Sequence, residues 1–121
     1  MGRVLIVEDD DSVRTFTERA LQADGHVTQT ASDGDEGLAL IRAASGAFDL
    51  VLSDIRMPVM DGIELAENVA AGYPDLRILL MTGYAEQRER AAELNGTVVG
   101  VVNKPFTLAE IRNEVAKALA G

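Results

Sequence analysis

The chain has 121 residues, the length of one domain with a single closed core. Its formal net charge of −9 would repel a phosphate backbone, and no cluster of Lys and Arg interleaved with aromatic residues opposes it. Direct binding of nucleic acid is therefore not expected. The sequence contains no cysteine and no apolar stretch long enough to cross a bilayer, and we expect no signal peptide. We expect one domain over residues 1–121, without membrane insertion and in the cytoplasm.

Five short apolar runs of strand length alternate with segments that have helical spacing. The runs are RVLIV from Arg3, HVTQTA from His26, DLVLS from Asp49, RILLM from Arg77 and VVGVV from Val98. Strands that are apolar without alternation, and that are separated by helices, predict a parallel sheet covered on both faces. The predicted fold class is therefore α/β, with a five-fold alternation of strand and helix.

Four of the intervening segments carry apolar residues on one helical face. The predicted inward positions are Val13, Phe16, Ala20 and Leu21; Gly37, Leu38 and Ile41; Ile63, Ala66, Val69 and Ala70; and Leu108, Ile111, Val115 and Leu119. The last helix opens with TLAE from Thr107, a capping-box pattern. The segment from Ala85 to Leu94 is mostly Glu, Arg and Gln, so its helical pattern is the weakest.

Polar residues follow the predicted strands at the point where each strand ends. They are Glu8-Asp9-Asp10-Asp11, Asp54, Thr82-Gly83 and Asn103-Lys104-Pro105. The carboxyl ends of parallel strands meet at one edge of the sheet, where such folds bind their ligands. Carboxylates gathered there repel one another, and a divalent cation with oxygen ligands relieves the repulsion. The sequence therefore predicts a Mg²⁺ site at this edge.

These strand ends resemble those of response-regulator receiver domains, the CheY-like family. The matching segments are Glu8-Asp9, SDIRMPVMDG around Asp54, MTG around Thr82 and NKPF around Lys104. The resemblance extends from Arg3 to Leu119 and implies a flavodoxin-like (βα)5 doubly wound sheet with strand order 2-1-3-4-5. It also implies that a histidine kinase or histidine phosphotransfer protein phosphorylates Asp54 and that the acyl phosphate is later hydrolysed.

The resemblance assigns roles to the acidic residues at this edge. Asp54 is the expected nucleophile. The rest of the site then has to position the reacting groups and neutralise the charge of the phosphoryl oxygens. Asp9 is expected to bind Mg²⁺ directly, with Asp54 and the backbone carbonyl of Arg56 as further ligands. Glu8 is expected to hold a water molecule bound to the metal ion.

The remaining roles belong to the ends of the fourth and fifth strands. Lys104 is expected to pair with Asp54 and then with the phosphoryl group, and Thr82 is expected to offer its hydroxyl to that group. A cis peptide bond before Pro105 would aim Lys104 into the site.

Several nearby residues have simpler interpretations. Asp10 and Asp11 are expected to cap the first helix and Asp61 to cap the third, with Gly62 relaxing the turn before it. His26 lies far from the acidic edge along the predicted second strand, so we expect no function for it.

The sequence departs from the family at the switch position. Receivers usually carry Tyr or Phe three residues before the site lysine, and here that residue is Val101, which has no ring to rotate. Tyr84 lies two residues after Thr82. One interpretation is that Tyr84 merely packs on its loop or lies in solvent. The other is that its ring moves between solvent and the groove above Val101 and so changes a surface that binds another protein.

Three other classes of protein share parts of this pattern. A haloacid-dehalogenase phosphatase would have a second aspartate where Arg56 stands, and a flavin carrier would have Ser, Thr and Gly in its first loop instead of four acids. A degenerate receiver would act only as a binding adaptor.

We expect instead a free-standing receiver or a receiver module of a hybrid kinase. Such a protein is a monomer or weak dimer with a downstream protein partner, and it is not an enzyme beyond catalysing its own phosphorylation and dephosphorylation.

Overall fold

Strands and helices alternate regularly in the computed structural model, which describes residues 2–93 and 96–120, except for the side chains of residues 85–87. The elements are β1 (Arg3–Val7), α1 (Asp11–Ala23), β2 (Val27–Ala31), α2 (Gly34–Ala43), β3 (Leu50–Asp54), α3 (Gly62–Gly72), β4 (Ile78–Thr82), α4 (Ala85–Ala92), β5 (Val98–Asn103) and α5 (Leu108–Ala120). Of these helices, none combines the length and the apolar character that a membrane span needs.

The five strands form one parallel sheet in the order β2-β1-β3-β4-β5, which confirms the predicted α/β fold. Asp54 at the end of β3 pairs with Met81, and Thr82 at the end of β4 pairs with Asn103. This register places the last residues of neighbouring strands side by side. The predicted polar residues therefore share one edge of the sheet.

Apolar side chains fill the space on both faces of the sheet. Leu5 and Val7 of β1 pack towards α2 and α3, whereas Val4 and Ile6 pack towards α1 and α5. All residues of β3 and β4 are buried, as expected for central parallel strands. The two edge strands, β2 and β5, are more exposed than the central strands, because each is paired with a neighbour on one side only.

Two residues predicted to face the core are exposed instead. Phe16 of α1 is 41% exposed, and the buried position next to it is taken by Thr17, whose hydroxyl donates to the carbonyl of Val13 at 2.7 Å. Leu108 in the first turn of α5 is 42% exposed. Both side chains lie near the carboxyl edge of the sheet, where the helices extend beyond the strands and have no core to cover.

Polar contacts hold the α4 helix, half of whose residues are charged. Ala91 is its one buried residue among the side chains that the structure describes. Arg88 donates to Asn103 Oδ1 at 2.6 Å, and Arg90 lies 3.7 Å from Asp61 across the gap to α3. Leu94, which the predicted segment included, lies outside the described residues. The helix is therefore confirmed from Ala85 to Ala92, and of the side chains described in it Ala91 is the one that packs in the core.

Candidate functional site

Three carboxylates meet where β1 and β3 end. Glu8 directly follows β1 and is fully buried, Asp54 closes β3 and is 6% exposed, and Asp9 is exposed. One carboxylate oxygen from each of the three lies within 4.8 Å of the others. The structure thus brings together the three side chains predicted to surround a metal ion.

Lys104 supplies the positive charge in this cluster. Its ammonium lies 2.6 Å from Glu8 Oε1 and 3.2 Å from Asp54 Oδ1. Its backbone amide donates to the carbonyl of Thr82 at 2.9 Å, which continues the contact between β4 and β5. The peptide bond from Lys104 to Pro105 is cis, as the family resemblance implies.

Burial dominates the ionisation of these groups. It raises the pKa of Glu8 from 4.5 to about 7, although the hydrogen bond from Lys104 opposes the change. Burial also raises the pKa of Asp54, against the charge of Lys104. The pKa of Lys104 itself is raised, because its contacts with Glu8 and Asp54 outweigh the effect of burial. The Lys104 ammonium therefore does not fully offset the effect of burial on the Glu8 and Asp54 carboxylates.

The donor set fits a hard divalent cation, because carboxylate oxygens are the ligands that Mg²⁺ takes from proteins. Both oxygens of Glu8 already have partners: Oε1 contacts Lys104, and Oε2 accepts from the amide of Asp10 at 3.2 Å. Glu8 is therefore better suited to hold a water molecule than to bind an ion directly. Asp9 and Asp54 are the carboxylates best placed for direct contact.

A cavity of about 450 Å³ opens beside Asp54. Its walls are Asp54, Arg56, Thr82, Gly83, Tyr84 and Lys104. Arg56 Nη1 donates to the hydroxyl of Tyr84 at 2.8 Å, and its guanidinium carbon lies 5.1 Å from the centre of that ring. Thr82 is buried, and its Oγ1 accepts from the amide of Tyr84 at 3.0 Å. The nucleophile, hydroxyl and ammonium predicted from the sequence therefore face one cavity.

The first residue of α3, Gly62, lies close to the backbone of Asp54 at the end of β3. A Cβ atom at Gly62 would lie 2.4 Å from the carbonyl oxygen of Asp54 and 2.9 Å from the Cα of Ile55, so only glycine fits there. The prediction that Gly62 relaxes a turn was wrong, because glycine is needed here for the close approach and not for a positive φ. The positive φ in this loop belongs instead to Val59, at 69°.

The acidic residues with simpler interpretations lie where expected. Asp10 caps α1 by accepting from the amide of Val13 at 2.9 Å, and Asp61 caps α3 in a capping box with Glu64. Asp11 opens α1 and pairs with Arg14. His26 lies just before β2, at the opposite end of the sheet from the site, where its Nδ1 accepts from the amide of Gly2.

Two arginine side chains belong to this region and were not predicted. Only the backbone carbonyl of Arg56 had been considered, whereas its side chain contacts Tyr84. Arg88 reaches β5, where it lies 2.6 Å from Asn103 Oδ1 and 3.5 Å from the carbonyl of Val101. Tyr84 is 47% exposed and Val101 is partly buried, so the ring lies outside the groove above Val101 in this structure. No motif signals these contacts, because they depend on how the loops fold over the edge.

A model of the response regulator receiver domain family matches residues 4–116 of the chain. The chain belongs to this family and is a receiver domain of two-component signal transduction. The family assignment excludes the phosphatase and flavin-carrier alternatives.

Individual relatives agree with the family. The response regulator receiver protein CpdR of Brucella abortus (strain 2308) is 38% identical over 120 residues, which cover 98% of each chain. Sensor kinase CckA of the same organism is 35% identical over 116 residues, which cover 96% of this chain and 12% of CckA. The structure of Vibrio cholerae chemotaxis protein CheY4 has a TM-score of 0.86 and 31% identity over 98% of both chains. The chain thus spans nearly all of CpdR but a small part of CckA.

Proposed function

We propose that Asp54 accepts a phosphoryl group from a phosphohistidine of a histidine kinase or histidine phosphotransfer protein. The observation that carries this proposal is the position of the Asp54 carboxylate, which lines the cavity and lies 3.2 Å from the Lys104 ammonium. A carboxylate oxygen attacks phosphorus and forms an acyl phosphate. The P–N bond breaks, and the histidine nitrogen keeps its electron pair and becomes neutral imidazole.

The neighbouring groups hold the phosphoryl oxygens during this transfer. Lys104 moves its charge from the Asp54 carboxylate towards the phosphoryl group, and the Thr82 hydroxyl lies on the same cavity wall. Bound Mg²⁺ would supply further positive charge. Asp9, Asp54 and the backbone carbonyl of Arg56 would hold the ion, and Glu8 would orient a water molecule bound to it.

The protein changes only its own phosphorylation state, so it is a signalling protein and not a turnover enzyme. Water that enters the same cavity hydrolyses the acyl phosphate: it attacks phosphorus, and the Asp54 carboxylate leaves. Because the complete set of site residues is present and converges, the proposal of an active receiver is preferred to that of a degenerate adaptor.

An apolar surface beside the site offers a place for the phosphodonor protein. A cavity of about 510 Å³ on this surface is lined by Ser12, Val13, Phe16, Lys104, Pro105 and Phe106. The rings of Phe16 and Phe106 lie 6.3 Å apart, and Phe16 is 41% exposed. Since Lys104 lines both this cavity and that of Asp54, a donor that covers the apolar surface brings its phosphohistidine close to the nucleophile.

The output is a change in a protein-binding surface. We propose that Tyr84 moves from its exposed position towards Val101 when Asp54 is phosphorylated, and that a downstream protein partner recognises the altered face of α4 and β5. Residues 1–121 would act as one receiver domain, as a monomer or weak dimer in the cytoplasm. The match to almost the full length of CpdR supports this domain assignment.

Phosphotransfer from a partner tests the proposal. A histidine phosphotransfer protein that carries radiolabelled phosphohistidine is mixed with the wild type, Asp54→Asn or Asp61→Asn, with and without Mg²⁺. Asp61→Asn is the matched control, because Asn keeps the helix cap and removes the same charge at the same edge. We expect label on the wild type and on Asp61→Asn only with Mg²⁺, and none on Asp54→Asn. Label on Asp54→Asn would refute the assignment of the acceptor.

A further inference from the structure

The Arg56 and Tyr84 side chains form a pair on the wall of the Asp54 cavity. The guanidinium donates to the tyrosine hydroxyl at 2.8 Å and lies over the ring. Among the side chains that the structure describes, no carboxylate forms an ion pair with Arg56. Among the described side chains, the partners of this positive charge are thus a neutral hydroxyl and an aromatic face.

A guanidinium binds a phosphoryl group more strongly than it binds a neutral hydroxyl. Its planar donors fit two phosphoryl oxygens of opposite charge at once, whereas the Tyr84 hydroxyl accepts one hydrogen bond from it and carries no charge. Arg56 lines the cavity in which a phosphoryl group on Asp54 would lie, and its side chain contacts Tyr84 on the same wall. The preferred partner of this charge therefore changes when Asp54 is modified.

We propose that Arg56 binds the phosphoryl group on Asp54 and gives up the Tyr84 hydroxyl in order to do so. This inference rests on the proposed function, because it requires a phosphoryl group at Asp54. It assigns to the Arg56 side chain a role separate from that of its backbone carbonyl. No covalent bond other than the acyl phosphate is involved, since the exchange replaces one hydrogen-bond partner by another.

The exchange couples the site to α4. Tyr84 is the residue immediately before α4, and its amide donates to Thr82 Oγ1. In the unmodified protein its ring is tied to the β3 side of the cavity through Arg56. Loss of that contact frees the ring to move towards Val101 and leaves the start of α4 with fewer restraints. Arg56 thus provides the physical trigger for the movement proposed for Tyr84.

Competition between the two partners of Arg56 gives the test. Beryllofluoride, a phosphoryl mimic, is titrated at saturating Mg²⁺ into the wild type, Arg56→Gln, Tyr84→Phe and the double variant, and its dissociation constant is measured by NMR. Arg42→Gln is the charge control, because Arg42 is exposed on α2, away from the cavity. We expect Arg56→Gln to weaken binding about tenfold. Tyr84→Phe removes the competing hydroxyl and should strengthen binding about threefold.

The double variant distinguishes two possibilities: that Arg56 leaves Tyr84 to bind the phosphoryl group, or that the contact between Arg56 and Tyr84 is permanent. If Arg56 exchanges partners, the gain from Tyr84→Phe disappears in the Arg56→Gln background, because no guanidinium is left to be released. Equal or weaker binding by Tyr84→Phe, or an Arg56→Gln affinity equal to that of Arg42→Gln, would overturn the inference. Failure of the proposed function looks different: the wild type itself would then bind no beryllofluoride at Asp54.

Discussion

The ammonium of Lys104 lies closer to Glu8 than to Asp54, at 2.6 Å and 3.2 Å respectively. Among the described side chains, Lys104 is the cation that pairs with these carboxylates, and it is shared between a buried acid and the proposed nucleophile. A second cation next to Asp54 would let Lys104 turn towards an incoming phosphoryl group without leaving the carboxylates unpaired. The three carboxylates outnumber the ammonium that pairs with them, so a bound cation would ease their repulsion.

Addition of Mg²⁺ should stabilise the protein against unfolding. The ion binds the folded site and not the unfolded chain, so a concentration of 100 times the dissociation constant raises the free energy of unfolding by about 2.7 kcal/mol. Asp9→Asn should lose most of this gain and, by easing repulsion, be at least as stable as the wild type without the ion. Urea denaturation with Mg²⁺ or EDTA measures both effects.

Asp75→Asn is the control for that experiment, because Asp75 is exposed and lies outside the cluster. It should keep the full response to Mg²⁺. A normal response in Asp9→Asn would show that Asp9 does not bind the ion.

Without Mg²⁺, stability should fall as the pH rises from about 5 to 7. The pKa of Glu8 is about 7 in the folded protein, above its value of 4.5 in an unfolded chain, so the folded state binds more protons across this window. The raised pKa of Asp54 acts in the same direction. Urea denaturation in EDTA at several pH values tests this, and Glu8→Gln should flatten the profile. A wild-type stability that increases over this range would contradict the assigned shift.

Relief of backbone strain in the loop before α3 should stabilise the fold. Val59 is 80% exposed and has a φ of 69°, a conformation that is costly for a β-branched residue. Val59→Asn should raise the free energy of unfolding by about 1 kcal/mol, because Asn tolerates this region. Val27→Asn, at an exposed valine in β2, is the control and should not stabilise, since Asn is disfavoured in strands. An equal effect at the two positions would argue against strain at Val59.

Removal of the apolar surface beside the site should affect one phosphodonor and not another. Phe16→Ala removes an exposed ring from the cavity that Phe16 and Phe106 line. Transfer from a phosphohistidine protein should therefore slow by about tenfold, which corresponds to the loss of a contact worth about 1 to 2 kcal/mol. The rate with acetyl phosphate should not change, since a small donor needs no docking surface. Val99→Ala removes a valine that is 42% exposed on β5 and is the control. Equal slowing with both donors would point to damage within the site itself.

The sequence predicted the structure well where the pattern of apolar and polar residues determines how a strand or helix packs. Continuous apolar runs identified β1, β3 and β4, and polar residues at strand ends predicted the convergence of Glu8, Asp9, Asp54 and Lys104, because parallel strands end at a common edge. The same reasoning failed for Phe16. Helical periodicity shows which face of α1 is apolar, but it does not show where the sheet below it ends.

Contacts between loops were beyond the reach of sequence patterns. The hydrogen bond from Arg56 to Tyr84 joins residues 28 positions apart in sequence, and that between Arg88 and Asn103 joins a helix to a strand. Neither follows from periodicity. Gly62 shows the same limit. A glycine after Asp61 suggests a turn, whereas the structure requires glycine there because the carbonyl of Asp54 leaves no room for a Cβ atom.

The mass of the intact protein after treatment with acetyl phosphate is the most direct test of the central claim that Asp54 accepts a phosphoryl group. Wild type and Asp54→Asn are incubated with acetyl phosphate in Mg²⁺ or in EDTA. We predict one added phosphoryl group on the wild type in Mg²⁺, little or none in EDTA, and none on Asp54→Asn in either condition. An equal mass gain on Asp54→Asn, or a wild-type gain that EDTA does not reduce, would contradict the account.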